Sequence, residues 1–233
     1  MHRVLGVFAK EPVAGQVKTR LAAVIGAEQA ARLYEAFLRD LLARLERLPV
    51  RRVLAYTPDS GKDYFGNWLG DRFELEPQSG SDLGERMSAF FERQFSRDAR
   101  QVVLVGSDAP NLPIARIEQA FAELVHHDVV LGPSDDGGYY LVGMRRMIVE
   151  VFGGIEWSTS GVFDRTLQRL SELGIQPALL ESWYDIDRPE DLFRLFAQMD
   201  AARRLGQDPE LLHTQTVLQC LPHVDRVGQN PGP

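Results

Sequence analysis

Short apolar runs alternate along the chain with stretches whose apolar residues recur every three or four positions. That alternation predicts βαβ units, hence an α/β fold with a mainly parallel sheet flanked by helices. Residues 3–9, 52–57, 73–77 and 101–106 read as strands, the last being the continuous apolar run typical of a central parallel strand. Residues 128–133 and 138–144 read as two more, separated by the turn-forming cluster Ser-Asp-Asp-Gly-Gly. A further strand-like stretch lies at 176–182. Between 27 and 48, Ala30, Leu33, Phe37, Leu41 and Leu45 fall at three- and four-residue spacing and predict a long amphipathic helix stopped by Pro49. Asp82 suits the N-cap of a helix running to about residue 96. Helical patterns follow at 114–126, 160–173 and 189–204. No internal repeat interrupts this order. One domain over 1–205 with a C-terminal extension over 206–233 is the expected organisation, and the closing "DRVGQNPGP" lacks periodicity and reads as frayed.

Length and composition narrow the class. A chain of 233 residues can bury about 70% of its unfolded surface in one large domain. Its 44% hydrophobic and 25% charged content is that of an ordinary globular protein. The formal charge of −7 argues against nucleic acid as partner, because phosphate-backbone binding relies on a surplus of Lys and Arg. Any anion must be held locally. A single cysteine, Cys220, excludes an intramolecular disulfide, and the five scattered histidines supply no closely spaced zinc motif. The apolar start "VLGVFA" is too short for a signal-peptide core, and no stretch approaches the roughly 18 apolar residues of a membrane span. A reducing cytoplasm is the expected setting, and the sequence leaves a homodimer open.

Candidate chemistry gathers in a few loops. Ligands of a parallel sheet sit beyond the carboxyl ends of its strands, where "VFAKEPVAGQVKTRL" (7–21) leaves the first strand. Gly15 lets the backbone approach a phosphate, Lys18 offers a point charge and Arg20 a planar fork. If Thr19 begins a helix, its amides add to the attraction. Val17 stands where a Walker A loop needs glycine, and a solvated basic loop is the plainer alternative. In "VVLVGSDAPNLP" (102–113) a buried strand ends at Ser107 and Asp108, placing a carboxylate on a rigid edge as a magnesium ligand requires; a helix or turn cap explains Asp108 equally well. In "GPSDDGGYYLVG" (132–143), Asp136, Gly137 and Gly138 permit close ligand approach, and Tyr139 and Tyr140 point to opposite faces. A plain turn is the alternative there. "WYDIDRPEDL" (183–192) places Asp187 as a second carboxylate, or as a mere N-cap before Pro189. "QSGSDLGERM" (78–87) carries Gln78, able to bond a base edge, with Gly80, Asp82 and Arg86. "EWSTSGVF" (156–163) offers the apolar face of Trp157 beside the hydroxyls of Ser158 and Thr159. No Gly-x-Ser-x-Gly elbow supports a hydrolase.

In this order, "AKEPVAGQVKTRL", "QSGSDLG", "VGSDAPNLP", "DGGYYLVG", "WST" and "DIDRPEDL" resemble a bacterial family of nucleotide-diphospho-sugar transferase-like proteins. That family was formerly a domain of unknown function and is also named radical-SAM/selenodomain-associated transferase 1. The resemblance runs over about residues 3–195 and implies a single-domain, Rossmann-like fold of the glycosyltransferase-A type. It implies that Lys18 and Arg20 hold a triphosphate, that Gln78 and Gly80 touch the base, and that Asp108 binds metal with Asp187 as second ligand. Ala14 and Arg188 depart from the usual pattern; a cation at 188 would compete for the Asp187 carboxylate.

The expected activity is a Mg²⁺- or Mn²⁺-dependent transfer from a nucleotide-activated substrate, with Lys18, Arg20 and Asp108 as catalytic groups. Gly15, Lys18, Arg20, Gln78, Gly80, Asp82 and Arg86 bind the nucleotide. Residues 136–139 and 157–159 bind a small-molecule acceptor. Nucleotidyl transfer from a nucleoside triphosphate to a small phosphorylated acceptor comes first. Glycosyl transfer from a nucleotide-sugar is the alternative within the same fold, and a non-catalytic nucleotide sensor the alternative outside enzymes. Base, acceptor and oligomeric state are not written in the sequence.

Overall fold

The structure, a computed structural model, describes residues 2–221; the frayed end expected at 225–233 lies outside the described residues. The described chain packs as two compact units. The first comprises the chain up to Glu11, Leu48–Gly106 and Pro113–Tyr184, and the second comprises Pro12–Arg47, Ser107–Leu112 and the described chain from Asp185 onward.

All seven strands belong to the first unit: β1 (Arg3–Lys10), β2 (Arg51–Thr57), β3 (Glu74–Pro77), β4 (Gln101–Val105), β5 (Val129–Pro133), β6 (Tyr139–Met144) and β7 (Ala178–Leu179). They form one sheet in the order β3-β2-β1-β4-β6-β5-β7. Only β6 runs antiparallel to its neighbours, so the sheet is mainly parallel, as the apolar runs predict. Chain order reverses between β1 and β4, the switch point at which doubly wound sheets take ligands beyond their carboxyl ends. The segments that follow β1 and β4 in sequence are those carrying Lys18 and Asp108.

Helices α3 (Gly61–Leu69), α4 (Leu83–Ser96), α5 (Ile114–Glu123) and α6 (Val162–Glu172) complete this unit, with 3₁₀ turns at Gly70–Arg72 and Val149–Phe152. Alternate strand residues share one face, and Val53, Ala55, Val102, Leu104, Leu131, Val142 and Met144 line it against Met87, Phe90 and Phe91 of α4. At about 25 cal/mol per Å² buried, this packing rather than helix propensity holds α4 in place. The strand expected over 176–182 shrinks to Ala178–Leu179, beginning just after Pro177, which has no amide to donate to the ladder. The helices expected to reach 48 and 126 stop earlier, at Leu45 and Glu123.

The second unit is helical: α1 (Thr19–Ile25), α2 (Ala27–Leu45), α7 (Pro189–Arg204) and α8 (Leu212–Cys220). The apolar stripe of α2 is buried over Leu33, Phe37, Leu41 and Leu45, and α2 contacts both α1 and α8. Buried Asp40 of α2 accepts hydrogen bonds from the His213 and Thr214 amides at 3.0 and 2.8 Å, which caps α8 from outside its own sequence. Residues 206–220 are thereby built into this unit. Among the described residues no helix is long and apolar enough to cross a membrane.

Candidate functional site

The second unit brings four of the expected site residues together. Lys18 Nζ lies 2.5 Å from Asp108 Oδ1 and 2.9 Å from Asp187 Oδ1, and Arg20 Nη1 lies 3.9 Å from Asp187 Oδ2. Burial separates the two cations. The Lys18 side chain is 2% exposed, whereas that of Arg20 is 64% exposed; the two carboxylates lie between, at 44% and 40%. Lys18 therefore spends its charge on the acids from behind, and Arg20 is the cation that faces solvent. Burial alone would depress the Lys18 ammonium, but the fields of Asp108 and Asp187 and their hydrogen bonds outweigh it and raise it above the ordinary lysine range.

Local sequence explains how the acids meet. The turn after β4 is pinned at three points: buried Ser107 shares a hydrogen bond of 2.7 Å with the Tyr34 hydroxyl, Arg44 Nη1 donates to the Pro110 carbonyl at 2.7 Å, and the Asp108 carbonyl accepts from the Ile186 amide at 2.9 Å. That last bond lays residue 187 beside residue 108. Neither acid serves as a helix cap. Pro113 precedes α5, and at α7 the Asp191 carboxylate accepts from the Asp187 and Arg188 amides at 2.9 and 2.7 Å. Asp187 is thus left to Lys18. Lys18 and Arg20 both lie within ion-pair distance of the Asp187 carboxylate.

Thr19 does begin a helix, but α1 has only seven residues, so its dipole adds little. Lys18 precedes it with φ 46° and ψ 45°, a left-handed conformation that costs a long side chain of order 1 kcal/mol or more. Gly15 also has positive φ, at 81°, and a Cβ there would meet nothing within 4 Å, so the glycine serves the turn and leaves its surroundings open.

The remaining site residues lie in the first unit. Gln78 Nε2 donates to the Ala55 carbonyl at 2.8 Å and the Ala9 carbonyl at 3.4 Å, which orients the amide at the ends of β1 and β2. Asp82 caps α4 by accepting from the Glu85 amide at 2.8 Å, as its spacing predicts. Glu85 reaches back to the Ser81 hydroxyl and amide at 2.7 and 2.8 Å, and these bonds hold its carboxyl below the usual range. Arg86 Nε donates to the Gly80 carbonyl at 3.1 Å, closing the loop on itself.

Residues 134–138 form a tight turn in which Asp136 Oδ1 accepts from the Gly138 amide at 3.0 Å. Gly137 needs its positive φ of 90°, and any Cβ would run into the Ser160 carbonyl. The Phe163 amide donates to the Gly137 carbonyl at 2.9 Å, so the 136–138 and 158–161 segments are tied together. Thr159 Oγ1 is turned to the Glu156 carbonyl at 2.9 Å, and Ser158 is exposed with φ 66°. Tyr139 and Trp157 pack edge to face, with centroids 6.5 Å apart, against the core; burial pushes the Tyr139 phenol upward. Tyr140 is on the opposite face, its hydroxyl donating to the Glu181 carbonyl at 3.1 Å. The indole of Trp157 lies so close to Gly84 that a Cβ there would run into it.

The oxygen donors suit a hard divalent ion. Asp108 and Asp187 converge on one cation, the Lys18 ammonium, while keeping two-fifths or more of their side-chain surface outward. Among the described residues no cluster of three or more His, Cys, Asp or Glu side chains stands near enough to hold a metal, so an ion held here would rest on these two carboxylates and on oxygens that a substrate brings. Sequence reasoning passed over Tyr34, whose only signal is a hydroxyl on the apolar stripe of α2.

Comparison with known proteins agrees with this fold. Residues 22–159 match a family described as an uncharacterized protein conserved in bacteria (DUF2064). A 3-phospho-D-glycerate guanylyltransferase from Phenylobacterium zucineum is 30% identical over 188 residues, 75% of this chain and 81% of that protein. A 2-phospho-L-lactate guanylyltransferase from Methanopyrus kandleri is 30% identical over 183 residues, covering 76% and 84%. A crystal structure from Desulfovibrio desulfuricans G20, provisionally named a nucleotide-diphospho-sugar transferase, superimposes with a TM-score of 0.85 at 32% identity and covers 94% of this chain and 97% of that one. With more than half of its length matched and relatives similar over most of theirs, the chain belongs to the DUF2064 family of bacterial proteins and is a nucleotide-dependent transferase.

Proposed function

We propose that the chain transfers a nucleoside monophosphate from a nucleoside triphosphate to the phosphate of a small phosphorylated acid, with Mg²⁺ or Mn²⁺ held by Asp108 and Asp187. The observation that carries it is the cluster in which two outward-facing carboxylates stand beside the exposed Arg20 guanidinium. Support for the acceptor comes from the two guanylyltransferase relatives, whose named acceptors are both phosphate esters of short hydroxy acids. Guanosine triphosphate is accordingly the first donor to test.

An oxygen of the acceptor phosphate attacks the α-phosphorus in line. The new P–O–P bond forms as the bond to the β-phosphate oxygen breaks, and pyrophosphate leaves with that electron pair. No protein nucleophile is needed; positioning and charge neutralisation supply the rate. A divalent ion, when bound, neutralises negative charge on the phosphates and the leaving pyrophosphate. Arg20 contributes positive charge from the solvent side, and Lys18 keeps the two carboxylates side by side. Gln78 and Gly80 are assigned to the base, and Asp82 and Arg86 to keeping their loop rigid. The acceptor is assigned to the turn at Asp136, Gly137 and Gly138 and to Ser158 and Thr159, with Tyr139 and Trp157 as the packed floor beneath.

The test incubates the purified chain with each nucleoside triphosphate, Mg²⁺ and a panel of phosphorylated hydroxy acids, and measures pyrophosphate. Acceptor-dependent pyrophosphate that disappears in Asp108→Asn is the expected result. Release of nucleoside diphosphate from a nucleotide-sugar, without pyrophosphate, would instead establish glycosyl transfer, the second reading, which the name of the D. desulfuricans structure favours.

A further inference from the structure

We propose that Lys18 is an internal counter-cation that closes the Asp108–Asp187 pair to free divalent metal, so that metal and nucleotide load together. The inference rests on the metal-site reading above. It starts from the order of burial: the ammonium is almost wholly covered, while the acids it bridges and Arg20 are progressively more open. A lysine serving phosphate directly would present its nitrogen to solvent. This one is held at the back of the pair, with the Tyr34 and Phe37 rings 5.8 and 6.0 Å from its nitrogen.

The charge count gives the consequence. Two carboxylates alone would offer a divalent ion a formal charge of −2. Lys18 and Arg20 offset those two charges, so a hydrated ion approaching by itself is attracted far less than by the bare pair. Magnesium sheds water reluctantly and is ordinarily held by one or two carboxylates together with substrate phosphates. Phosphates arriving with the ion supply the missing negative charge and meet Arg20. Coupling of this kind is reciprocal: nucleotide improves metal affinity by the factor by which metal improves nucleotide affinity. The left-handed backbone at Lys18 fits the same role, since strain at a long side chain persists only where the surroundings over-determine it.

The experiment uses the full chain and Mn²⁺ alone, followed by electron paramagnetic resonance or calorimetry without nucleotide. Lys18→Met keeps length and loses charge, and should bind free Mn²⁺ at least tenfold more tightly than the parent, whereas Lys18→Arg should stay as weak. A merely structural lysine would give the opposite change, because a loosened pair binds metal less well. Equal or weaker Mn²⁺ binding by a folded Lys18→Met overturns the proposal. Should that variant not fold, the ¹⁵N signal of the Lys18 ammonium in the parent decides: it should move with Mg²⁺ and GTP together and stay put with the same concentration of Mg²⁺ alone, and a shift with Mg²⁺ alone overturns the proposal. A parallel arm compares the parent with Asp108→Asn for Mn²⁺ binding in the presence of GTP. Loss in Asp108→Asn upholds the metal site whatever Lys18 does, and no loss removes that site, and the proposal with it.

Discussion

The Ile186 amide donates to the Asp108 carbonyl at 2.9 Å, and this one backbone bond joins segments 78 residues apart so that Asp187 and Asp108 fall on the same lysine. The stretch Asp-Ile-Asp-Arg-Pro by itself offers Asp187 as a second metal ligand or as an N-cap; this register is what sets it beside Asp108. Asp187→Asn keeps an oxygen for Lys18 to bond and keeps the Asp191 cap of α7. Stability should therefore change by no more than about 1 kcal/mol, the scale of a partly exposed pair. Turnover should fall by about a hundredfold or more, as when one preorganised electrostatic partner is lost. Thermal melting and steady-state kinetics on the same preparation check both halves.

Arg20 makes the complementary case. Its side chain is mostly exposed and its contact with Asp187, at 3.9 Å, is at the limit of an ion pair. Arg20→Ala should leave stability within about 0.5 kcal/mol of the parent. If the guanidinium meets phosphate, KM for the nucleoside triphosphate should rise by about tenfold or more, the scale of one charge-assisted hydrogen bond. An unchanged KM for every nucleotide tested would show that Arg20 serves only Asp187.

Behind the acids, the Tyr34 and Ser107 hydroxyls, both buried, satisfy one another at 2.7 Å. Tyr34→Phe strands the Ser107 hydroxyl and should cost about 1–2 kcal/mol in urea denaturation. Removing both partners, Tyr34→Phe with Ser107→Ala, should cost less than the two single changes together, because no polar group is then left buried and unpaired. Additive losses would mean that the bond contributes nothing.

The strands and the long helix were legible because burial writes itself into the sequence as period. The runs around Val53, Val102 and Val129 read as strands and are, all three buried, and the stripe through Leu33, Phe37 and Leu41 is the buried face of α2. Helix α8 was not legible, since its first amides are received by Asp40, 173 positions away, and its own residues carry little amphipathic signal. The candidate site divides the same way. Residue types in the segments after the first and fourth strands pointed to Lys18, Arg20 and Asp108, and the stretch before Pro189 pointed to Asp187. Spacing could not tell that Lys18 would turn inward to the acids while Arg20 turned outward, because that depends on which side chains face one another after folding.

Just past the end of β6 lies a trio, Asp128 with Arg145 and Arg146, whose pH dependence has a definite sign. Asp128 Oδ1 accepts from Arg145 Nε at 2.6 Å and Oδ2 from Arg146 Nε at 2.7 Å, and the Arg145 amide donates to the Asp128 carbonyl at 3.1 Å. Hydrogen bonds first from Arg146 and then from Arg145 hold the carboxyl below the ordinary aspartate value of 3.8. The folded state therefore favours the ionised form. Its stabilisation is complete above the unfolded value near 4 and fades as pH falls through the lower folded value. Asp128→Asn removes that term and keeps the shape. The difference in unfolding free energy between parent and variant should be constant from about pH 5 to pH 8, shrink below about pH 4, and narrow in high salt because the side chains of Arg145 and Arg146 are about half exposed. A gap that grows on acidification would mean that the two arginines do not hold Asp128 ionised in the folded chain.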